Sequence, residues 1–262
     1  PFAASKRICE SQSFLYNPLF IYGRFGMGKT HLLNAIGIEL RKKSANLKIA
    51  FMSAERFMYQ FIKAIRVKDT LKFKDAFRSM DILIIDDIQL IGGKDSTQEE
   101  FLHTFSDLID QGKQIIISSN KSPLEVSGLD EKLKSRLGGG LVVDFLPTDF
   151  ELRIGILNKK TELLKYDVPR DVIEFLANMI TNNIRELEGA LNRICANYEL
   201  TGRKINLENC KTLLSDILLI NEKKISISYI QEQVTRYLKL KQTDMTSSRR
   251  YINIARLRQI AM

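Results

Sequence analysis

The residues whose types and spacing are best suited to chemistry are Gly23-Arg24-Phe25-Gly26-Met27-Gly28-Lys29-Thr30, which fit the pattern G-x-x-x-x-G-K-[ST]. Glycines let successive backbone N–H groups turn inward and form a nest for an anion. A helix opening nearby adds the partial positive charge of its N-terminus. Lys29 supplies a point charge to the β- and γ-phosphates of a nucleotide, and the Thr30 hydroxyl is a hard-oxygen ligand for Mg²⁺. Further along, Asp86-Asp87 follows the apolar run Ile82-Leu83-Ile84-Ile85. Acids at the carboxyl end of a strand are the Walker B arrangement: Asp86 is expected to hold Mg²⁺ through water, and Asp87 to orient or deprotonate an attacking water. Without the glycine loop upstream, the same pair reads as a solvated turn. Ser118-Ser119-Asn120 ends another apolar run, where an amide could hold a water against the γ-phosphate, although a plain polar turn before Pro123 fits the local sequence nearly as well.

These residues need elements to position them. Leu19–Tyr22 is a short apolar run closed by Gly23 and is predicted to be a buried strand; Ile49–Met52, Ile82–Ile85, Ile115–Ser118 and Leu141–Phe145 follow as further strands. From Lys29 the pattern turns helical, with Leu32, Leu33, Ile36 and Leu40 on one face. Ala54–Val67, Leu71–Phe77 and Gln98–Asp110 are also predicted helices, the first with an apolar face of Phe57, Phe61 and Ile65. Buried strands alternating with helices imply an α/β domain with a mainly parallel sheet. After Pro147 only helical patterns remain, over Glu151–Tyr166, Asp171–Met179, Asn183–Tyr198 and Leu207–Leu214, and then Ser226–Leu238 and Ile254 onward. Three parts are therefore expected: 1–147, an α/β nucleotide-binding part; 148–220, a small helical lid; and 221–262, a basic tail.

Composition excludes several classes. With 44% hydrophobic and 27% charged residues over 262 positions, the chain is an ordinary globular sequence. Its apolar runs are too short to span a membrane. Cys9, Cys195 and Cys210 form no C-x-x-C pair, and His31 and His103 are the only histidines, so neither a disulfide scaffold nor a histidine-rich metal site is expected. A reducing cytoplasm is the expected location. The net charge of +9 is uneven: residues 221–262 hold nine Lys/Arg against three Asp/Glu, the first 220 residues 31 against 28. A basic tail on a nearly balanced body suits nucleic acid, and also a merely solvated surface.

Taken in order, these pieces resemble the AAA+ ATPases, and within them the DnaA family of bacterial replication initiators. The resemblance is carried by Tyr16-Asn17-Pro18-Leu19-Phe20-Ile21-Tyr22-Gly23, Gly28-Lys29-Thr30-His31-Leu32-Leu33, Asp86-Asp87-Ile88-Gln89, Gln98-Glu99-Glu100-Phe101, Leu133-Lys134-Ser135-Arg136-Leu137 and Asn183-Ile184-Arg185-Glu186-Leu187-Glu188-Gly189-Ala190-Leu191-Asn192. It implies a P-loop parallel sheet with helices on both faces, a helical lid, and the start of a helical duplex-binding domain. It adds Met27 and His31 to the nucleotide set of Gly23, Gly26, Gly28, Lys29, Thr30 and Asp86. Arg136 resembles the arginine finger that enters a neighbouring subunit's site, Arg185 resembles sensor 2, and Asn120 takes the sensor 1 position. On the sequence alone, both arginines are simply surface charges. Ile62 and Lys63 match positions that track single-stranded DNA, Arg249 and Arg250 match a basic loop from which an arginine, here Arg250, enters the minor groove, and of Arg256 and Arg258 in the DNA-binding run that follows, Arg258 lies where the family contacts phosphate.

The implied activity is that of an ATP-switched initiator of chromosomal replication, in the cytoplasm. Its ATP form would oligomerise as a helical filament on origin DNA and promote duplex opening, and weak ATPase activity would reset it. ATP or ADP and Mg²⁺ are the implied cofactors. Single-stranded and duplex DNA, further copies of the chain, the replicative helicase and acidic phospholipid surfaces are the implied partners. Several departures accompany the resemblance: Arg24 and Phe25 replace a small Gly-Val pair, Lys132 stands where an arginine is common, and Gly138-Gly139-Gly140 replaces an aromatic-containing loop. The start at Pro1 and the stop at Met262, before any recognition helix, are read as marks of a fragment. A helicase loader or related regulator, a small-molecule kinase on the same P-loop, and an inactive remnant remain as alternatives.

Overall fold

The computed structural model describes residues 1–10, 16–181 and 183–217. The expected helices Ser226–Leu238 and Ile254 onward, and the whole basic tail 221–262, lie outside them. Contacts divide the chain into two compact units: residues 1–166 with 180–191, and residues 167–179 with the chain from Asn192.

The first unit is built on five strands, β1 (Leu19–Tyr22), β2 (Ile49–Ser53), β3 (Ile82–Asp86), β4 (Gln114–Ser119) and β5 (Leu141–Asp144). All pairings are parallel and the order is β2-β3-β4-β1-β5. β3 and β4 are buried along their whole length, which is why they read as continuous apolar runs rather than alternating ones. The side chains of β3 divide between the two faces of the sheet. Leu83 and Ile85 pack with Phe57, Phe73, Phe77, Phe101 and Leu133, whereas Ile82 and Ile84 pack with Ile8, Leu33, Ile36 and Leu40.

Helices therefore cover both faces, as the sequence implied. On one side are α1 (Phe2–Glu10) and α2 (Lys29–Lys43); on the other are α3 (Ala54–Arg66), α4 (Thr70–Arg78), α5 (Asp95–Asp110) and α6 (Glu131–Gly138). The starts of α3, α4 and α6 are capped by side chains: Ser53 accepts from Arg56 N at 3.2 Å, Asp69 from Lys72 N at 3.3 Å, and Asp130 from Lys132 N at 2.8 Å. Phe57 is the hub of the α3–α4–α5 contact, with ring centroids 5.4, 5.2 and 5.3 Å from Phe73, Phe77 and Phe101 in edge-on arrangements. The inward row of α3 is Phe57, Phe61 and Ala64; Ile65, expected on that face, is 48% exposed, because the helix turns it one position past the buried seam.

After β5 every described element is helical: α7 (Phe150–Leu164), α8 (Arg170–Met179), α9 (Ile184–Thr201) and α10 (Leu207–Leu213). In the second unit, Val172, Ile173, Leu176, Ala177, Ile194, Cys195 and Cys210 are buried, and Arg193 meets Asp216 through both carboxylate oxygens at 2.9 and 2.8 Å. All three cysteines are free thiols, and burial pushes Cys210 up to about 11. No helix among the described residues is long and apolar enough to cross a membrane.

Candidate functional site

β1, β3 and β4 run parallel and end level with one another. Tyr22 pairs with Ser119, and Ile85 pairs with Ile117. The glycine loop, the Asp86-Asp87 pair and Ser118–Asn120 are thus delivered to one edge of the sheet, outside the carboxyl ends of its central strands, where ligands of open α/β sheets bind.

The loop from Gly23 to Thr30 connects β1 to α2. Gly26 and Gly28 adopt φ of 76° and 99°, a region that disfavours side chains. A Cβ on Gly26 would also collide with the Asn183 side-chain oxygen. That close approach clips the start of α9 onto the loop: Ile184 N donates to Gly26 O at 2.9 Å, while Asn183 Oδ1 caps α9 by accepting from Arg185 N at 3.0 Å.

Lys29 is 6% exposed, and its ammonium donates to Gly23 O at 2.6 Å and Arg24 O at 3.0 Å. The Phe25 ring, 60% exposed, stands over the same nitrogen at 5.6 Å. Burial pushes the ammonium below its ordinary value; Asp87 and Asp86 oppose that shift, and the like charge of Arg185 adds to it. The loop therefore presents a partly desolvated cation whose protein partners are backbone carbonyls, a charge that a phosphate can neutralise.

Asp86 is 7% exposed, and hydroxyls satisfy both its oxygens. Thr30 Oγ1 donates to Oδ2 at 2.6 Å, and Ser118 Oγ donates to Oδ1. Ser118 Oγ in turn accepts from Asp87 N at 2.9 Å. Asp87 is a non-glycine residue with φ and ψ of 56°, so its backbone is held in the left-handed region. Gln89, in the 3₁₀ turn Ile88–Ile91, donates from Nε2 to Asp87 Oδ1 at 2.9 Å. Its Oε1 accepts from Ser119 Oγ and Asn120 N, each at 3.2 Å.

Among the described residues no group of three or more His, Cys, Asp or Glu could hold a metal. The Thr30 hydroxyl and the Asp86 carboxylate, already in contact, are instead a hard-oxygen pair that fits a Mg²⁺ arriving with phosphate oxygens and waters.

Gly23, Gly26, Met27, Gly28, Lys29, Thr30, Asp86, Asp87, Asn120 and Arg185 all belong to this neighbourhood; Met27 is buried, and Arg185 is exposed on the first turn of α9. His31 follows Thr30 on α2 and is exposed. Arg136 is exposed on α6, lining a separate depression with Leu102, Ser106, Glu131, Lys132 and Ser135. Ile62 and Lys63 are exposed side by side on α3. Arg249, Arg250, Arg256 and Arg258 lie outside the described residues. Sequence reasoning overlooked the parts played by Ser118 and Gln89. A serine directly after the apolar run Ile115–Ile117, within a fully buried strand, was a usable signal for the first; for the second the only local mark is its place two positions after Asp87.

Comparison with known proteins identifies the family and the fold. A family profile described as the bacterial DnaA ATPase domain matches residues 1–144. The chain is 51% identical over 263 aligned positions to a chromosomal replication initiator protein DnaA from Ehrlichia ruminantium (strain Gardel), covering all of this chain and 57% of that protein. The chain thus spans little more than half the length of that relative. Among solved structures, domain III of the Thermotoga maritima replication initiation protein DnaA superposes with a TM-score of 0.79 at 34% identity, over 83% of this chain and 90% of that one. A replication initiator DnaA bound to AMPPCP and single-stranded DNA superposes with a TM-score of 0.72 at 31% identity, over 99% of this chain and 76% of that one. The matched sequence includes the glycine loop, the paired aspartates and the end of β4, and on these grounds the chain belongs to the bacterial DnaA ATPase domain family.

Proposed function

We propose that this chain is the ATP-switched part of a replication initiator: it binds ATP with Mg²⁺, assembles with further copies on origin DNA to promote duplex opening, and hydrolyses ATP slowly to reset the switch. The observation that carries this reading is the convergence of Lys29, Thr30 and Asp86 at one point, with a buried ammonium beside a hydroxyl–carboxylate pair. On this reading residues 1–147 hold the nucleotide, 148–220 form the lid and 221–262 meet duplex DNA.

Each residue then has a role. Backbone N–H groups of the loop, with Gly23, Gly26, Met27 and Gly28, cradle phosphate oxygens, and Lys29 neutralises their charge. Thr30 and Asp86 hold Mg²⁺, which supplies charge neutralisation on the phosphates. Asp87 orients a water toward the γ-phosphorus and takes its proton as the bond to the bridging oxygen breaks; Asn120 holds that water in place. Arg185 senses the γ-phosphate from the same chain, and Arg136 does so from a neighbouring copy. Such a contact is heterologous and propagates as an open helical filament. Ile62 and Lys63 would face single-stranded DNA, as an apolar and a cationic contact side by side. Arg249, Arg250, Arg256 and Arg258 would contact duplex. The replicative helicase and acidic phospholipid surfaces are further partners on this reading, and the cytoplasm its location. The solved relative that binds both AMPPCP and single-stranded DNA supports the pairing of the two ligands on one fold.

The test is titration with a fluorescent ATP analogue and Mg²⁺, comparing the intact chain with Lys29→Ala. Saturable binding that the substitution abolishes is the expected result. No binding by the intact, folded chain would refute the reading.

A further inference from the structure

We infer that Gln89 is a positioning residue for Asp87: its side chain ties the Asp87 carboxylate to the end of β4. The inference rests on the functional reading above and deepens it.

The amide of Gln89 can be oriented in one way only. The Asp87 carboxylate accepts and cannot donate, and the Asn120 backbone N–H donates and cannot accept. Nε2 must therefore face Asp87 and Oε1 must face Asn120. The side chain joins the segment after β3 to the segment after β4, so the acid and the expected water-holding amide of Asn120 share one support. The Ser119 hydroxyl adds a second hold on Oε1, from a residue that is wholly buried.

Asp87 needs such support. Its backbone is in the left-handed region, which a non-glycine side chain occupies only when its surroundings enforce it. Two bonds do so: Asp87 N to Ser118 Oγ fixes the main chain, and Gln89 Nε2 to Oδ1 fixes the carboxylate. A carboxylate held through one oxygen presents the other in a set direction, as a base that must meet one particular water requires. Gln89 does not itself reach the reacting atoms; it acts through Asp87.

The test compares the unsubstituted chain, Gln89→Leu and Gln89→Glu, each also in an Asp87→Asn background. Binding of the fluorescent ATP analogue and single-turnover hydrolysis of Mg-ATP are both read. Gln89→Leu removes all three hydrogen bonds of the side chain. It should lower the single-turnover rate by about tenfold or more, the scale on which a misplaced catalytic group is felt, with the nucleotide Kd within about twofold. In the Asp87→Asn background the same substitution should change the residual rate less than about twofold, because the group it positions is gone. Gln89→Glu keeps the acceptor for Ser119 and Asn120 but turns an oxygen toward Asp87; it should bind nucleotide and hydrolyse it slowly, and it serves if the leucine variant does not fold. An equal loss in both backgrounds would mark a merely structural residue and overturn the inference, as would undiminished rates in either variant. Nucleotide binding by the intact chain without any turnover would overturn it too. No nucleotide binding at all would instead refute the functional reading, and this inference with it.

Discussion

The Thr30 hydroxyl donates to Asp86 Oδ2 across 2.6 Å, joining the first turn of α2 to the last residue of β3. The bond fixes the separation of two oxygens that a single cation would have to share. Thr30→Val keeps the branched shape and removes the donor. It leaves a buried carboxylate oxygen short of a partner, and should destabilise the chain by about 1–3 kcal/mol. It should also make nucleotide affinity nearly the same with Mg²⁺ as with a chelator, whereas Thr30→Ser keeps the difference. Urea denaturation and paired titrations check the two effects.

Phe25 stands over the Lys29 ammonium at 5.6 Å, from a position within the phosphate loop itself. The ammonium has three donors, two of which face carbonyl oxygens of the loop. The ring therefore competes with phosphate for the remaining direction. An exposed contact of this type is worth about 0.5–1 kcal/mol, so Phe25→Val should tighten nucleotide binding about two- to fivefold, and Phe25→Tyr should leave it unchanged. Titration of the three proteins side by side decides it.

Gln98 on α5 is 3% exposed and uses both ends of its amide: Nε2 donates to Gly128 O at 2.9 Å, and Oε1 accepts from Asp130 N at 2.7 Å. Asp130 caps α6, the helix that carries Arg136. Gln98→Leu strands two backbone groups and should cost about 1–3 kcal/mol in denaturant-induced unfolding. Nucleotide affinity should be retained, because none of these groups belongs to the phosphate loop.

Asp81, just before β3, accepts from Lys113 Nζ at 2.7 Å and Lys48 N at 3.1 Å. The Lys113 bond, followed by the Lys48 bond, holds its carboxyl below the ordinary 3.8. The folded state thus binds the proton less readily than the unfolded chain. The stabilisation is fully present above that ordinary value and is lost as the pH falls through the lower, folded one. The stability difference between the intact chain and Asp81→Asn should be flat near neutrality and shrink below about pH 4. Added salt should reduce it, because the pair is roughly 30% exposed.

The strands were legible because each holds a short apolar run that gives way to a glycine or a polar residue at or near the strand's end, as with Tyr22-Gly23 and Ile85-Asp86. The phosphate loop was legible because its glycines are separated by fixed counts. Two helices were not. α6 buries only Leu133 and Leu137, and α1 only Ser5 and Ile8, too few positions for a period to show. Ile65 lies one position off the buried row, since Ala64 and Ile65, three and four residues after Phe61, both satisfy helical spacing, and only packing chooses Ala64. The role of Gln89 was not legible: it stands two positions after Asp87 in a motif, but its other partners are 30 and 31 positions away, and pairing between polar side chains has no period.

The strand order has a consequence for how the chain acquires its site. β1 carries the phosphate loop and β3 the acids, yet the two are not neighbours; β4 lies between them and lends Ser118 to Asp86. During synthesis both outer contributors are made before the strand that separates them. A chain that has not yet inserted β4 can hold neither half of the site at its proper spacing, and a slip of one residue in β4 would turn Ser118 to the opposite face. Nucleotide thus selects chains whose central strand is already home and in register, and by mass action favours them over every misassembled alternative.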